Sequence, residues 1–168
     1  MIIFILAISC FCSCNDADNN SNSTAINIVT GMNLIDNVGN NVGVIGNPNV
    51  LDNTGFAIYP NPAINVLTIV GTPAAKNIWI LKGVPTKSFG NTNFGDVLKT
   101  NMYTSSEIKS KSIFEIEDIV TNNLKIDLGR FEQGYYRVFI ELEDGTIHWD
   151  NIYFRASQSG INDINFWK

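Results

Sequence analysis

The sequence predicts an all-β fold, an antiparallel β-sandwich of about seven strands. From Gly55 onward, short apolar stretches alternate with clusters of turn residues, which is typical of such sandwiches. No stretch in this region has the apolar spacing of an amphipathic helix. Asp144-Gly145 separates two β-rich runs, which is the strongest short-range signal for a hairpin.

The strands are expected where apolar and β-branched residues alternate between turn signals. Residues 84–106 are expected to form a long loop, and a short helix is the alternative for residues 113–120. The strands are predicted at residues 56–59, 66–70, 77–81, 113–120, 124–128, 135–142 and 146–154. The predicted core consists of Ile58, Leu67, Ile69, Ile78, Ile80, Leu124, Ile126, Leu128, Tyr136, Val138 and Ile140.

Composition argues against a nucleic-acid role. The net charge is −5 and the sequence pI is about 4.7. Neutralising phosphates requires clustered Lys and Arg, whereas the 11 basic residues are scattered along the chain. We therefore expect no nucleic-acid partner.

All three cysteines, Cys10, Cys12 and Cys14, lie in the amino-terminal segment. A disulfide-stapled domain distributes its cysteines through the fold, and a tetrahedral metal site needs further ligands that the sequence lacks. Residues 1–14 are almost wholly apolar, which is the length of a signal-peptide core and too short to span a membrane. A lipid-anchoring role is left for the cysteines.

This segment resembles the lipobox of bacterial lipoproteins, in which a small residue precedes the acylated cysteine. Ser13-Cys14 and Ala7-Ile-Ser-Cys10 both fit. Apolar sequence stops at Cys14, and the Asn15-Asp-Ala-Asp18 that follows is similar to lipoproteins of the Bacteroidetes, where it implies display at the cell surface. Cys14 is the predicted site, with Cys10 as the alternative. Residues 1–13 are then a signal peptide, and no cofactor or metal is expected.

Residues 14–53 are rich in Asn, Gly, Ser and Thr, and we interpret them as the lipidated cysteine and a flexible tether. Within them, residues 25–30 have the alternation of one short strand. Residues 36–49 are expected to form a loop or hairpin, and a recognition segment that adds a strand to a partner's sheet is the alternative. The folded domain is placed at residues 54–156, and residues 157–168 are a tail that either packs on the domain or docks into a partner.

The folded part resembles the C-terminal sorting domain of type IX secretion cargo. The resemblance is carried by Phe56-Ala-Ile-Tyr-Pro-Asn-Pro62, Leu67-Thr-Ile69, Ile126-Asp-Leu-Gly-Arg-Phe131 and Gly134-Tyr-Tyr-Arg-Val-Phe139. It implies an immunoglobulin-like sandwich. Sorting domains follow a large secreted passenger, however, and this chain carries none, so the resemblance implies the fold rather than the sorting role.

Catalytic patterns are absent from the sequence. The single histidine, His148, is expected at a strand surface, and no Gly-x-Ser-x-Gly accompanies it. Glu115 with Glu117, and Glu141 with the Glu143-Asp144 turn, are interpreted as solvated strand and turn positions rather than paired acids. We therefore predict a protein that is not an enzyme.

Aromatic residues are the candidates for ligand binding. Trp79, Trp149, Tyr153 and Trp167 form an exposed stacking surface for a glycan in one interpretation, and Trp79 and Trp149 fill the sandwich in the other. The sequence thus predicts an outer-membrane or cell-surface lipoprotein that acts as a protein-interaction module with an envelope protein partner. A glycan-binding lipoprotein is the alternative.

Overall fold

The computed structural model describes residues 26–48, 55–87, 103–156, 164 and 166–167. Over these residues the chain is an all-β, sandwich-like fold with one short helix, which confirms the predicted fold class. The elements are β1 Ile28–Val29, β2 Gly31–Ile35, β3 Asn41–Gly46, β4 Phe56–Tyr59, β5 Val66–Lys82, β6 Val84–Pro85, α1 Ser105–Lys111, β7 Phe114–Ile116, β8 Thr121–Asp127, β9 Gly134–Leu142 and β10 Ile147–Phe154.

The long strand β5 organises the sandwich, because it belongs to both of its halves. Its first part, Val66–Val70, lies between β4 and β8, and its second part pairs with β9 and β7. The sequence predicted two strands here, separated at Gly71-Thr-Pro73. One strand forms instead because the ladder to β8 is interrupted between Val70 and Ala75, so that Pro73 sits where no N–H is required.

The core lies between the two halves of this curled sheet. It is closed by β9 and β10, whose hairpin turns at Asp144-Gly145 as predicted. The predicted core residues are buried, with the exception of Leu124, which is half-buried in the middle of the edge strand β8. Phe56, Ala63, Leu142, Ile152 and Phe154 complete this core.

Helix α1 was not predicted from the sequence. It begins at the end of the predicted loop at residues 84–106 and ends before the predicted strand at residues 113–120. Thr104 caps it by accepting a hydrogen bond from the N–H of Glu107, and Ile108 is its buried residue. A seven-residue helix with a single buried apolar side chain has too little periodicity to be recognised in a sequence. Ile108 packs on the outer face of the β5–β9–β10 half, together with Trp79 and Phe139.

Residues 14–53 were predicted to be a tether with a short strand at residues 25–30 and a loop or hairpin at residues 36–49, yet residues 26–48 belong to the folded unit through β1 and the β2–β3 pair. Ile26, Val29 and Met32 are fully buried against the outer face of β9 and β10. The fold therefore begins well before residue 54. These side chains are ordered because they pack on the apolar outer face of the sheet. We call Ile26–Ile35 the strap, and the pair β2–β3, with its turn at Asp36–Asn40, the hairpin.

Candidate functional site

The aromatic residues proposed for stacking on a ligand are mostly buried. Trp79 is 1% exposed, Trp149 6% and Tyr153 4%. Trp79 and Trp149 pack with Tyr103 and Phe139 beneath the strap and α1, and the indole N–H of Trp79 donates to Glu117 at 3.2 Å. These three rings therefore fill the layer outside β5, β9 and β10 and do not form an exposed stacking surface.

Trp167, the fourth candidate, is half-buried against the domain. Its indole N–H donates to the carbonyl of Thr86 at 2.8 Å, and its ring meets Tyr135 edge-on with centroids 5.0 Å apart. Ile164 is fully buried in the same cluster. Ile164 and Trp167 of the carboxyl-terminal tail thus pack on the domain, whereas Phe166 is 38% exposed.

The outer face of β9 and β10 carries a buried polar network, and its centre is Arg137. The Arg137 side chain is fully buried, and its guanidinium donates to the strap carbonyls of Ile26, at 3.0 Å, and Ile28. Its Nε donates to Asn151 Oδ1 at 2.9 Å. Burial lowers the pKa of Arg137 to about 10, and the nearby Tyr103 hydroxyl and Asp150 oppose that shift.

Asn61, from the Tyr-Pro-Asn-Pro segment, is the second fixed point of this network. Its buried amide donates to the carbonyls of Asn33, at 2.6 Å, and Asn151, at 2.9 Å, and accepts from the N–H of Tyr153. Its backbone exchanges two hydrogen bonds with Ile35. Asn61, which lies in the loop before β5, therefore links the strap to β10.

Asp150 lies beside this network in a costly environment. The side chain is 1% exposed; Oδ1 accepts from the N–H of Asn151 at 2.6 Å, and Oδ2 has no hydrogen-bond partner among the described residues. Burial raises the pKa of Asp150 to about 7, although Arg137 and the Asn151 N–H act in the opposite direction. A buried carboxyl of this kind lowers the stability of the fold when it ionises, because the charged form loses its hydration.

The sequence analysis did not single out Arg137, Asn151, Asn61 or Asp150. A signal was present, since Arg137 and Asn151 lie in two mostly apolar strands at positions that are register partners. Polar residues in strands whose other positions are apolar on both faces indicate a strand that is covered on both sides. The strap and α1 cover the outer face of these two strands.

The acidic residues and His148 do not assemble a catalytic site. Glu141 accepts hydrogen bonds from Asn77 and Ser105, and Glu117 pairs with Lys109 at the surface. His148 lies against the ring of Phe56, with centroids 5.7 Å apart. Over residues 26–48, 55–87 and 103–156, no group of three or more metal-ligating side chains comes together.

Two open hollows of about 510 and 380 Å³ flank Phe114 and Arg130, near the free edges of β7 and β8. The guanidinium of Arg130 covers the face of Phe114 at 4.4 Å from the ring centroid. The lining includes both bases and acids, among them Lys109, Glu115 and Asp127. The hollows therefore have no uncovered aromatic face on which a sugar could stack. Their mixed acidic and basic lining also provides no electrostatic potential of one sign that would attract a charged ligand.

The hairpin offers an apolar surface. Val38, Val42 and Val44 are 75%, 65% and 56% exposed. Leu34 and Ile45 pack onto the domain from the opposite face of the hairpin, and β3 pairs with β2 alone among the described strands. Asp36 closes the turn by accepting from the N–H groups of Val38 and Asn40, and these hydrogen bonds hold the pKa of its carboxyl below the usual value.

Comparison with protein families, with curated proteins and with solved structures finds no match for this chain. The predicted lipidation sites, Cys14 and Cys10, lie outside the described residues. None of the helical residues that the structure describes forms a helix long and apolar enough to cross a membrane.

Proposed function

We propose that this chain is a non-enzymatic lipoprotein of the outer membrane or cell surface, anchored through Cys14, that acts as a protein-interaction module or accessory subunit of an envelope complex. The observation that carries the proposal is the hairpin, which presents Val38, Val42 and Val44 to solvent, and whose strand β3 pairs with β2 alone among the strands that the structure describes. The docking surface is the outer face and free edge of β3, and the partner contributes an extended segment.

The chemistry of β3 supports this role. Soluble proteins protect their edge strands with charges, prolines or bulges that discourage pairing with other chains. Residues 37–47 contain no charged residue and no proline, and Asp36 lies in the turn. The pairing of β2 with β3 has one register shift, opposite Leu34 and Ile35, and apart from it β3 has neither charge nor proline to discourage pairing. An edge of this kind binds an extended segment through main-chain hydrogen bonds, and the exposed side chains of Val42 and Val44 add apolar contacts.

The anchor is argued from sequence. Eleven residues separate Cys14 from Ile26, where the described fold begins. An extended chain of that length spans up to about 40 Å, which is enough to hold the domain clear of a membrane surface. A multiply acylated cysteine provides stable attachment, because each buried methylene contributes about 0.8 kcal/mol.

The positions of the aromatic residues favour a protein partner over a glycan. A sugar-binding sandwich presents exposed, coplanar rings, whereas Trp79, Trp149 and Tyr153 are buried and Trp167 is packed on Tyr135. The large apolar side chains that are exposed in the described residues are aliphatic, with the exception of Phe166. Aliphatic surface beside a strand edge suits a protein segment.

The experiment replaces the exposed valines and follows the partner. Val42→Lys combined with Val44→Lys puts positive charge beside β3, and we expect the envelope protein that co-purifies with the intact, lipid-anchored chain to be lost. Exposed positions tolerate such changes within about 0.5 kcal/mol, so the free energy of unfolding should be unchanged.

The matched control is Val66→Lys combined with Val120→Lys, two exposed valines outside the hairpin. It should retain the partner. Capture that is equal in the wild type, the hairpin variant and the control would refute the hairpin as the docking surface, and recovery of the wild type without any envelope protein would refute the interaction role.

A further inference from the structure

The strap is held on the sandwich chiefly through its own main chain. The Arg137 guanidinium donates to the carbonyls of Ile26 and Ile28. Further along the strap, the Asn151 amide donates to the carbonyl of Gly31 at 3.0 Å, and the Asn61 amide donates to the carbonyl of Asn33. On the other side, the N–H groups of Val84 and Thr86 donate to the carbonyls of Asn27 and Val29 at 2.8 and 2.9 Å. Main-chain recognition of an extended segment is how strand-addition sites hold a peptide.

Three side chains of the strap fill separate apolar sites. Ile26 enters the cluster of Trp79, Phe139 and Trp149, and Val29 and Met32 enter the cluster of Tyr135, Tyr153 and Ile164. Each is at most 1% exposed. Removing these three apolar side chains from water favours the state in which the strap occupies its groove.

The sandwich is built without the strap. β1 pairs with β6 and β2 pairs with β3, and neither strand joins the six-stranded sheet. The core between the two halves of that sheet contains no residue from 26–48. The strap and the sandwich are therefore related as a ligand and a groove, here within one chain.

We propose that this groove also accepts the strap of a second copy, so that the chain forms strand-exchanged oligomers. The occupant is Ile26–Ile35 of another molecule, bound through the contacts that hold it in one molecule. Exchange of an identical element between copies conserves every contact, and only the connection between strap and sandwich differs.

The contact between the strap and its groove involves no like charges, although the chain carries a net charge of −5. Residues 26–35 carry no charge, and their binding site is polar through Arg137 and two asparagines. Strap and groove therefore meet without a like-charge contact.

The experiment uses cysteine pairs in the full-length chain isolated from membranes. Ile28 and Val84 are register partners in the β1–β6 pair, and neighbouring strands lie at a spacing that a disulfide can bridge. Ile28→Cys is introduced in copies with one affinity tag, Val84→Cys in copies with another, and the two are co-expressed and oxidised.

Exchange predicts a disulfide that joins the two tags. If exchange is complete, about half of the dimers are mixed by random pairing, and these give the linked product. The control pairs Val84→Cys with Val38→Cys, an exposed position that is not its partner, and the native cysteines are the same in every preparation. A chain with both Ile28→Cys and Val84→Cys reports that the pair can be oxidised.

Light scattering provides a second readout. The wild-type chain should be dimeric or larger in detergent, and it should remain so in the Val42→Lys, Val44→Lys variant, because that surface is not used for exchange. Mixed-tag product at the level of the control pair, or a monomeric mass for the wild type, would overturn the proposal. Loss of the oligomer only in the hairpin variant would also overturn it and assign the self-association to β3.

Discussion

Asp150 provides the most quantitative test of the buried network. Its side chain is 1% exposed, and one carboxyl oxygen has no hydrogen-bond partner among the described residues. The change to Asn keeps an Oδ1 that can accept from the N–H of Asn151 and removes the ionisable group. We therefore expect Asp150→Asn to abolish a pH dependence of stability that the wild type carries.

The size and sign follow from the pKa of Asp150, which burial raises from 3.8 to about 7. The folded protein therefore holds a proton that the unfolded chain has released, and the stability of the wild type falls as the pH rises from about 4 to about 7. Ionisation within the fold costs at most about 4 kcal/mol, of which about 3 kcal/mol falls between pH 5 and pH 8. Above pH 8 the contribution is constant.

Urea unfolding at pH 5 and pH 8 measures this contribution. The free energy of unfolding of the wild type should fall by up to about 3 kcal/mol more than that of Asp150→Asn across this range. Asp127→Asn is the matched control, since Asp127 is exposed and its Oδ1 also accepts a backbone N–H. Parallel pH dependence of the wild type and Asp150→Asn would refute the assignment of a raised pKa to Asp150.

Two further changes test the other parts of the account. Asn61→Asp removes the amide hydrogens that bind the carbonyls of Asn33 and Asn151, and it should lower the free energy of unfolding by more than about 2 kcal/mol. The control, Asn41→Asp at an exposed position, should have little effect. Equal stability of the two variants in urea would contradict the role of Asn61. Cys14→Ala should move the chain from the membrane to the soluble fraction; unchanged fractionation of Cys14→Ala, with loss of the anchor in Cys10→Ala, would assign the lipid to Cys10.

The interior of the sandwich was predictable because its information is local. Alternation in β9 and β10 identified Tyr136, Val138 and Ile140 as core, and Asp144-Gly145 fixed the hairpin between the strands. A period of two and a turn that requires Gly at positive φ are written in neighbouring residues. These features need no knowledge of what packs on the sheet.

The outer layer was not predictable from local pattern, because its partners are far apart in sequence. The strap has the Asn, Thr and Gly content of a linker, and it becomes ordered through Arg137 and Asn61, which lie many residues further along the chain. Trp79 and Trp149 could be placed on the outer face of the sheet, but their burial depends on whether the strap and α1 cover them. The alternation of residues 25–30 predicts a short strand, but it does not indicate which surface that strand covers.

Site-specific photo-crosslinking in intact cells tests the central claim most directly. A photoreactive residue at position 44 lies on the outer face of β3, and one at position 120 is also exposed but lies outside the hairpin. The proposed function predicts one discrete crosslinked envelope protein from position 44 and none from position 120. The same products from both positions, or none from position 44, would contradict an interaction module that docks through the hairpin.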